Sequence, residues 1–167
     1  MREKLTKDDV KKIKEEIEYR KVVVRKRELE AVKEARAHGD LSENFEYKAA
    51  KQDKNRNESR IRYLEKMLKT AIIVSDQSEA NEIGLNKKVE IRYPGETETE
   101  SYHLVTSIRG NSMEGKISIE SPLGKALMGK KVGEMATVQL EDGRSYEVEV
   151  VGVTQSDKTE IDEIRKF

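Results

Sequence analysis

The chain has 167 residues, enough for one domain or two small ones, and 40% of them are charged against 35% hydrophobic and 5% aromatic. Val, Leu, Ile and Phe together make up about 23%, just above the ~20% level of disordered chains, and such a balance suits long solvated helices beside a small core. Lys plus Arg equals Asp plus Glu at 33 each, so no global basic signature of a nucleic-acid binder exists; the lack of cysteine excludes disulfide scaffolds, thiolate metal sites and thiol nucleophiles.

The longest apolar runs, Val22 to Val24 and Ala71 to Val74, are too short for a membrane span or a secretory signal core. A cytoplasmic protein with no membrane partner is therefore expected. The zero net charge hides an asymmetry: residues 1–70 carry 21 basic and 15 acidic side chains, and the remainder 12 and 18, giving +6 and −6. Up to residue 83 there is no proline and one glycine, Gly39, whereas the rest holds nine glycines with Pro94 and Pro122. The reading is two modules, residues 1–75 helical and 82–154 built of short strands, followed by a charged tail at 155–167.

The first helix is predicted from Lys7 to Arg36, with Thr6 as N-cap, Asp8 and Asp9 favouring the positive end of the helix dipole, and a seam of Val10, Ile13, Ile17, Val24 and Ala31. The second is predicted from Asn44 to Val74, with Ile61, Leu64, Leu68 and Ala71 or Ile72 on one face. Two helices of ~30 residues, each ~45 Å long and joined by a short link, form an antiparallel coiled-coil hairpin. Its seam is uneven: Ala50, Lys54 and Asn57 near the turn, Ile and Leu farther away. That pattern suits a protruding intramolecular hairpin in a monomer better than a dimerisation arm, which needs apolar residues along the whole seam.

The turn, Ala37 to Asn44, combines a helix stop at Gly39 with three good N-caps, Asp40, Ser42 and Asn44. Beyond the polar linker Ser75 to Asn81, alternating runs at Val89–Tyr93, Tyr102–Ile108, Met113–Ile119, Met135–Leu140 and Tyr146–Val153 predict an antiparallel sheet, with a hairpin turn at Asp142-Gly143. Ser121 to Gly129 predicts a short helix with Pro122 at its first position. The fold class is α+β, and the tail is either frayed or a short helix.

Chemistry is sparse. Residues 38–47 carry Asp40, Glu43 and Glu46 and no Lys or Arg, an acidic cap on a basic hairpin. Asp40 and Glu43 match a capping-box variant; on one helical turn their Cβ atoms would also lie ~5–6 Å apart and could approach one hydrated ion together. Two carboxylates do not make a tight Mg²⁺ site, so the pair can only complete a site that a partner begins. His38 and His103 have no metal-ligand spacing, Gly124-x4-Gly129-Lys130-Lys131 lacks the hydroxyl residue of a phosphate loop, and Ser42 and Ser121 have no sequence-level base. Arg56 and Arg60, at i and i+4, are RNA-contact candidates, against the alternative of a solvated helix face.

The stretch Glu34-Ala35-Arg36-Ala37-His38-Gly39-Asp40-Leu41-Ser42-Glu43-Asn44-Phe45-Glu46-Tyr47-Lys48-Ala49-Ala50-Lys51 resembles the tip signature of the bacterial Gre transcript-cleavage factors, of the GreA type. Ser121 to Lys130 resembles the start of the helix in their C-terminal domain, and Arg60-Ile61-x-x-Leu64-Glu65-x-x-Leu68 their second helix. The chain departs from them at Phe45, at Lys54-Asn55-Arg56-Asn57, at Val24-Arg25-Lys26 and in a longer tail. The resemblance implies a coiled-coil hairpin followed by an FKBP-like domain, with bacterial RNA polymerase as partner. It implies that the hairpin enters the polymerase's secondary channel, where Asp40 and Glu43 help hold a shared Mg²⁺ and promote hydrolysis at the nascent RNA 3′ end of backtracked complexes. The chain would then have no cofactor of its own and be no enzyme itself. Ser121 and Pro122 match a partner-docking region, with a plain helix start as the equal alternative. Two other functions stay open at this point: a diverged paralogue that plugs the channel and inhibits, and a prolyl isomerase, for which Tyr93, Tyr102, Tyr146 and Phe167 are a meagre aromatic supply.

Overall fold

A computed structural model describes residues 2–38 and 44–166. The chain divides into two compact units, one essentially Asp8–Ile72 and the other Lys4–Lys7 with Ile73–Lys166.

In the first unit, α1 (Lys7–Tyr19) runs through a π-helical turn (Arg20–Val24) into α2 (Arg25–Arg36), and α3 (Phe45–Thr70) returns antiparallel to them. The direction is fixed by cross-helix partners that descend on one helix as they ascend on the other: Glu16 with Arg60, Arg20 with Asn57, Arg36 with Tyr47. Ile13, Ile17, Val24, Val32 and Ala35 face Ala50, Ile61, Leu64 and Met67 as the buried seam.

Three details differ from the periodicity reading. Val32 and Ala35 are buried where Ala31 was expected, because the π turn takes up an extra residue and so shifts by one the sequence positions that face the seam beyond it. On α3, Met67 rather than Leu68 is fully buried. The second helix ends at Thr70, not Val74: Ala71 takes extended backbone, and Ile72–Ile73 become strand β2 beside β1 (Lys4–Leu5). Two β-branched isoleucines in succession favour extended backbone over a further helical turn.

The second unit is a five-stranded sheet of order β5-β4-β3-β7-β6, from β3 (Lys87–Arg92), β4 (Glu100–Val105), β5 (Lys116–Ser118), β6 (Met135–Gln139) and β7 (Ser145–Gln155). Alternation puts Val89, Ile91, Ala136, Val148 and Val150 on one face, where they form a core with Ile83, Leu104 and Leu127. Leu127 comes from α4 (Pro122–Leu127). The expected hairpin at Asp142-Gly143 joins β6 to β7, with Gly143 at φ +87°.

The sheet is mixed, not antiparallel: β5 pairs parallel with β4. Between them the chain makes two 3₁₀ turns, Ser107–Arg109 and Ser112–Glu114, and a left-handed Gly115 at φ +72°, so the next strand leaves in the direction of the last. The tail belongs to this unit. A 3₁₀ turn (Lys158–Ile161) buries Ile161, and Arg109 Nη1 donates to the carbonyls of Ile161 (2.7 Å) and Asp162 (2.9 Å). Buried His103 holds Ser156 Oγ at 2.7 Å through Nδ1 and faces Glu160 at 3.3 Å through Nε2. Its role is structural. Tyr93 and Tyr146 pack on each other at 6.0 Å and against the core.

Candidate functional site

The described part of the hairpin tip is held by one residue. Asn44 is the N-cap of α3: its Oδ1 accepts from Tyr47 N at 2.9 Å, and its Nδ2 donates to the Ala35 carbonyl near the end of α2 at 2.6 Å. One amide thus satisfies an orphan donor of one helix and adds a donor to a carbonyl in the last turn of the other, which also accepts from His38 N. Arg36 adds a second tie, with Nη2 3.4 Å from the Tyr47 hydroxyl and its guanidinium carbon 5.4 Å from the ring centre. The hydrogen bond from Arg36, then the charges of Arg36, Lys51 and Lys54, hold the Tyr47 hydroxyl below the usual tyrosine range. His38 Nδ1 lies 3.1 Å from Glu46 Oε2 across the turn.

Residues 39–43 join these pinned ends, so Asp40 and Glu43 lie outside the described residues, as does the capping-box reading of them. Within the described residues the cap of α3 is Asn44. Among those same residues no group of three His, Cys, Asp or Glu could hold a metal ion.

Below the tip, the seam contains a polar network that periodicity did not reveal. Glu16 Oε2 accepts from Arg20 Nε at 2.7 Å and Arg60 Nε at 2.8 Å, and its Oε1 takes Arg60 Nη2 at 3.2 Å. Asn57, buried on α3, accepts from Arg20 Nη1 at 3.0 Å and donates to the Arg20 carbonyl at the π turn at 3.3 Å. Burial pushes the Glu16 carboxyl up, but hydrogen bonds from Arg60 and Arg20 outweigh it and leave the pKa below the ordinary value. Arg25 braces the outside with a two-point contact to Glu58, 3.0 and 2.8 Å.

Arg56 and Arg60 therefore differ. Arg60 is only 3% exposed and committed to Glu16, which corrects its reading as an RNA contact; Arg56 is exposed, 3.8 Å from Asp53. Four residues carry a helix about 40° past full turns, and here that offset separates the seam from its flank. The missed signal was in the sequence: polar Asn57 and charged Glu16 at seam positions near the π turn.

Ser121 and Pro122 sit at the start of α4. Ser121 Oγ accepts from Gly124 N at 3.0 Å and donates to Ser118 O at 2.7 Å, and Pro122 opens the helix with its ring exposed. Gly124 is a packing residue: a Cβ there would collide with the Ser118 carbonyl. That accounts for the glycine that mimics a phosphate loop.

A hairpin with a pinned, acid-bearing tip, joined to a small mixed sheet, has counterparts among known proteins. The family model described as "Transcription elongation factor, N-terminal" matches residues 3–73, and "Transcription elongation factor, GreA/GreB, C-term" matches residues 77–155. The transcription elongation factor GreA of Bacillus subtilis (strain 168) is 42% identical over 139 residues, 83% of this chain and 88% of its own. That of Streptococcus gordonii is 42% identical over 153 residues, 91% and 95% of the two chains. Among solved structures, GreA factor homolog 1 of Thermus thermophilus is 30% identical, covering 92% of this chain and 99% of that one at a TM-score of 0.42. The chain belongs to the Gre family of transcription elongation factors, and within it to the GreA type. Identity near 40% to GreA factors over most of both chains does not favour the reading as an inhibitory paralogue. Residues 156–166 lie beyond the matched segments.

Proposed function

We propose that this chain binds bacterial RNA polymerase, passes its hairpin into the secondary channel and presents Asp40 and Glu43 at the catalytic centre, where the polymerase cleaves backtracked RNA near its 3′ end. The supporting observation is the Asn44 clamp. It ties Ala35 to Tyr47 and so anchors both ends of the five-residue segment that carries the two acids.

The donor set suits Mg²⁺, a hard ion that takes oxygen ligands, but only in part. Two carboxylates leave most positions to water and to the partner, and Glu46, the adjacent acid, is engaged with His38. Asp40 and Glu43 would hold one side of the ion and orient the attacking water; the bound ion supplies polarisation of the scissile phosphate and an activated water. The chain acts as a factor in trans. The +6 charge of residues 1–70 favours approach to a phosphate-rich channel, and the −6 charge of the remainder favours a basic surface outside it. Ser121 and the exposed Pro122 belong to the second unit and are the candidate contacts there.

The test uses stalled, backtracked polymerase with the wild type, Asp40→Asn and Glu43→Gln. RNA shortening is expected with the wild type; each variant should bind equally and lower cleavage by at least about 10-fold, the scale seen when metal sites are weakened. Cleavage unchanged in both variants would overturn the carboxylate role.

A further inference from the structure

Phe45, the first residue of α3, is 79% exposed. A ring left in water at a helix start forfeits the burial that normally places phenylalanine inside. Its surroundings are specific. Lys48, one helical turn on, sets its ammonium 5.6 Å from the ring centre, a cation–π distance. Asn44 immediately before it is fixed by two hydrogen bonds, so the ring is carried on clamped backbone. Arg36 and Tyr47 form a second cation–aromatic pair at the same end of the hairpin.

Among the described residues, no other large apolar side chain that is exposed lies at this end: Tyr19, Val22, Val23 and Leu29 sit farther along the first helix. A protein wall would be met by a contiguous apolar patch of several hundred Å². A single exposed aromatic ring with a lysine ammonium beside it matches a different partner, a planar base attached to phosphate.

We propose that Phe45 is a stacking platform for an unpaired nucleobase, that of the extruded 3′ segment of the RNA, with Lys48 beside its phosphate. The inference rests on the proposed insertion of the tip into the polymerase and adds a substrate contact distinct from the acidic pair. Stacking holds the RNA end against the fingertip, so it acts on the efficiency of cleavage rather than on docking of the factor.

The experiment uses the full chain and backtracked elongation complexes whose RNA ends in 2-aminopurine, a base whose fluorescence falls on stacking. Wild type, Phe45→Trp, Phe45→Leu and Phe45→Ala are compared, each checked for unchanged helicity. Fluorescence should fall with the wild type and Phe45→Trp and stay high with the other two. Cleavage at saturating factor should drop roughly 10-fold in Phe45→Ala and Phe45→Leu, within the range of one lost base–aromatic stack, with polymerase affinity unchanged. Full cleavage by Phe45→Leu with no fluorescence response would overturn the proposal and assign the ring to an apolar wall of the channel. Equal behaviour of all four proteins would overturn it as well. Should the wild type quench the base without stimulating cleavage, the stacking site stands and the cleavage reading fails; a wild type that cleaves without quenching gives the reverse.

Discussion

Asn44 shows how much one side chain decides at the tip. Its carbonyl oxygen caps α3 and its amide nitrogen ends α2, so two different substitutions separate the two jobs. Asn44→Asp keeps the acceptor and loses the donor, whereas Asn44→Ala loses both. Asn44→Ala is expected to destabilise the hairpin by about 1–2 kcal/mol, and Asn44→Asp by less than half of that. Amide hydrogen exchange at Tyr47 is the sharper measurement: it should quicken in Asn44→Ala and stay slow in Asn44→Asp. Fast exchange in both would mean that the bond to Ala35, not the cap, carries the tip. The sequence offered three candidate caps in this turn, and nothing in composition chose among them. The choice depends on which side chain can also reach the opposite helix.

At the scale of the hairpin, charge performs part of the work usually left to leucine. Glu16 sits below its ordinary pKa in the folded chain through Arg60 and Arg20, and Glu58 is lowered mainly by its hydrogen bonds from Arg25. A carboxyl depressed by folding contributes stability that is fully present above its unfolded value, ~4.3, and disappears as pH falls through the lower folded value. The hairpin should therefore keep its melting temperature from pH 7 to about 5 and show a lower one below about pH 4, with Glu16→Gln flattening that acid limb. A melting curve whose acid limb is unchanged in Glu16→Gln would refute the assignment. Helix existence and the five strands were legible because long runs without Gly or Pro, and alternations such as Val89-Glu90-Ile91, leave little choice of period. What stayed hidden was three-dimensional. Arg60 reads as a surface cation until Glu16 faces it. The parallel step of β5 depends on two 3₁₀ turns that have no strong local signature, and Ala31 yields to Val32 only because a π turn intervenes. Asp40 and Glu43 stand out in the sequence by their isolation among basic neighbours, and the role proposed for them comes from the resemblance.

At the scale of the whole chain, residues 156–166 extend past the segment that the family model matches, yet they are built into the second unit. Arg109 is buried and spends its guanidinium on the carbonyls of Ile161 and Asp162, and His103 is buried against Ser156. Ending the chain at Gln155 would take Ile161 and Asp162 from Arg109 and Ser156 from His103. Such losses cost about 1–3 kcal/mol each, so the second unit should unfold at clearly lower urea while helical ellipticity from the hairpin persists. Identical unfolding of the shortened chain would show the tail to be passive. The wide turn at Arg20–Val24 has a different reach. A helix advances about 100° with every residue, so in an unbroken rod the gain or loss of one amino acid would swing the tip by more than a quarter-turn. A stretch that has already taken up one spare residue behaves as a slip joint. One residue added there should turn the tip of the hairpin less than the same insertion elsewhere in the first helix, a difference that a spin-label distance between the two ends would read.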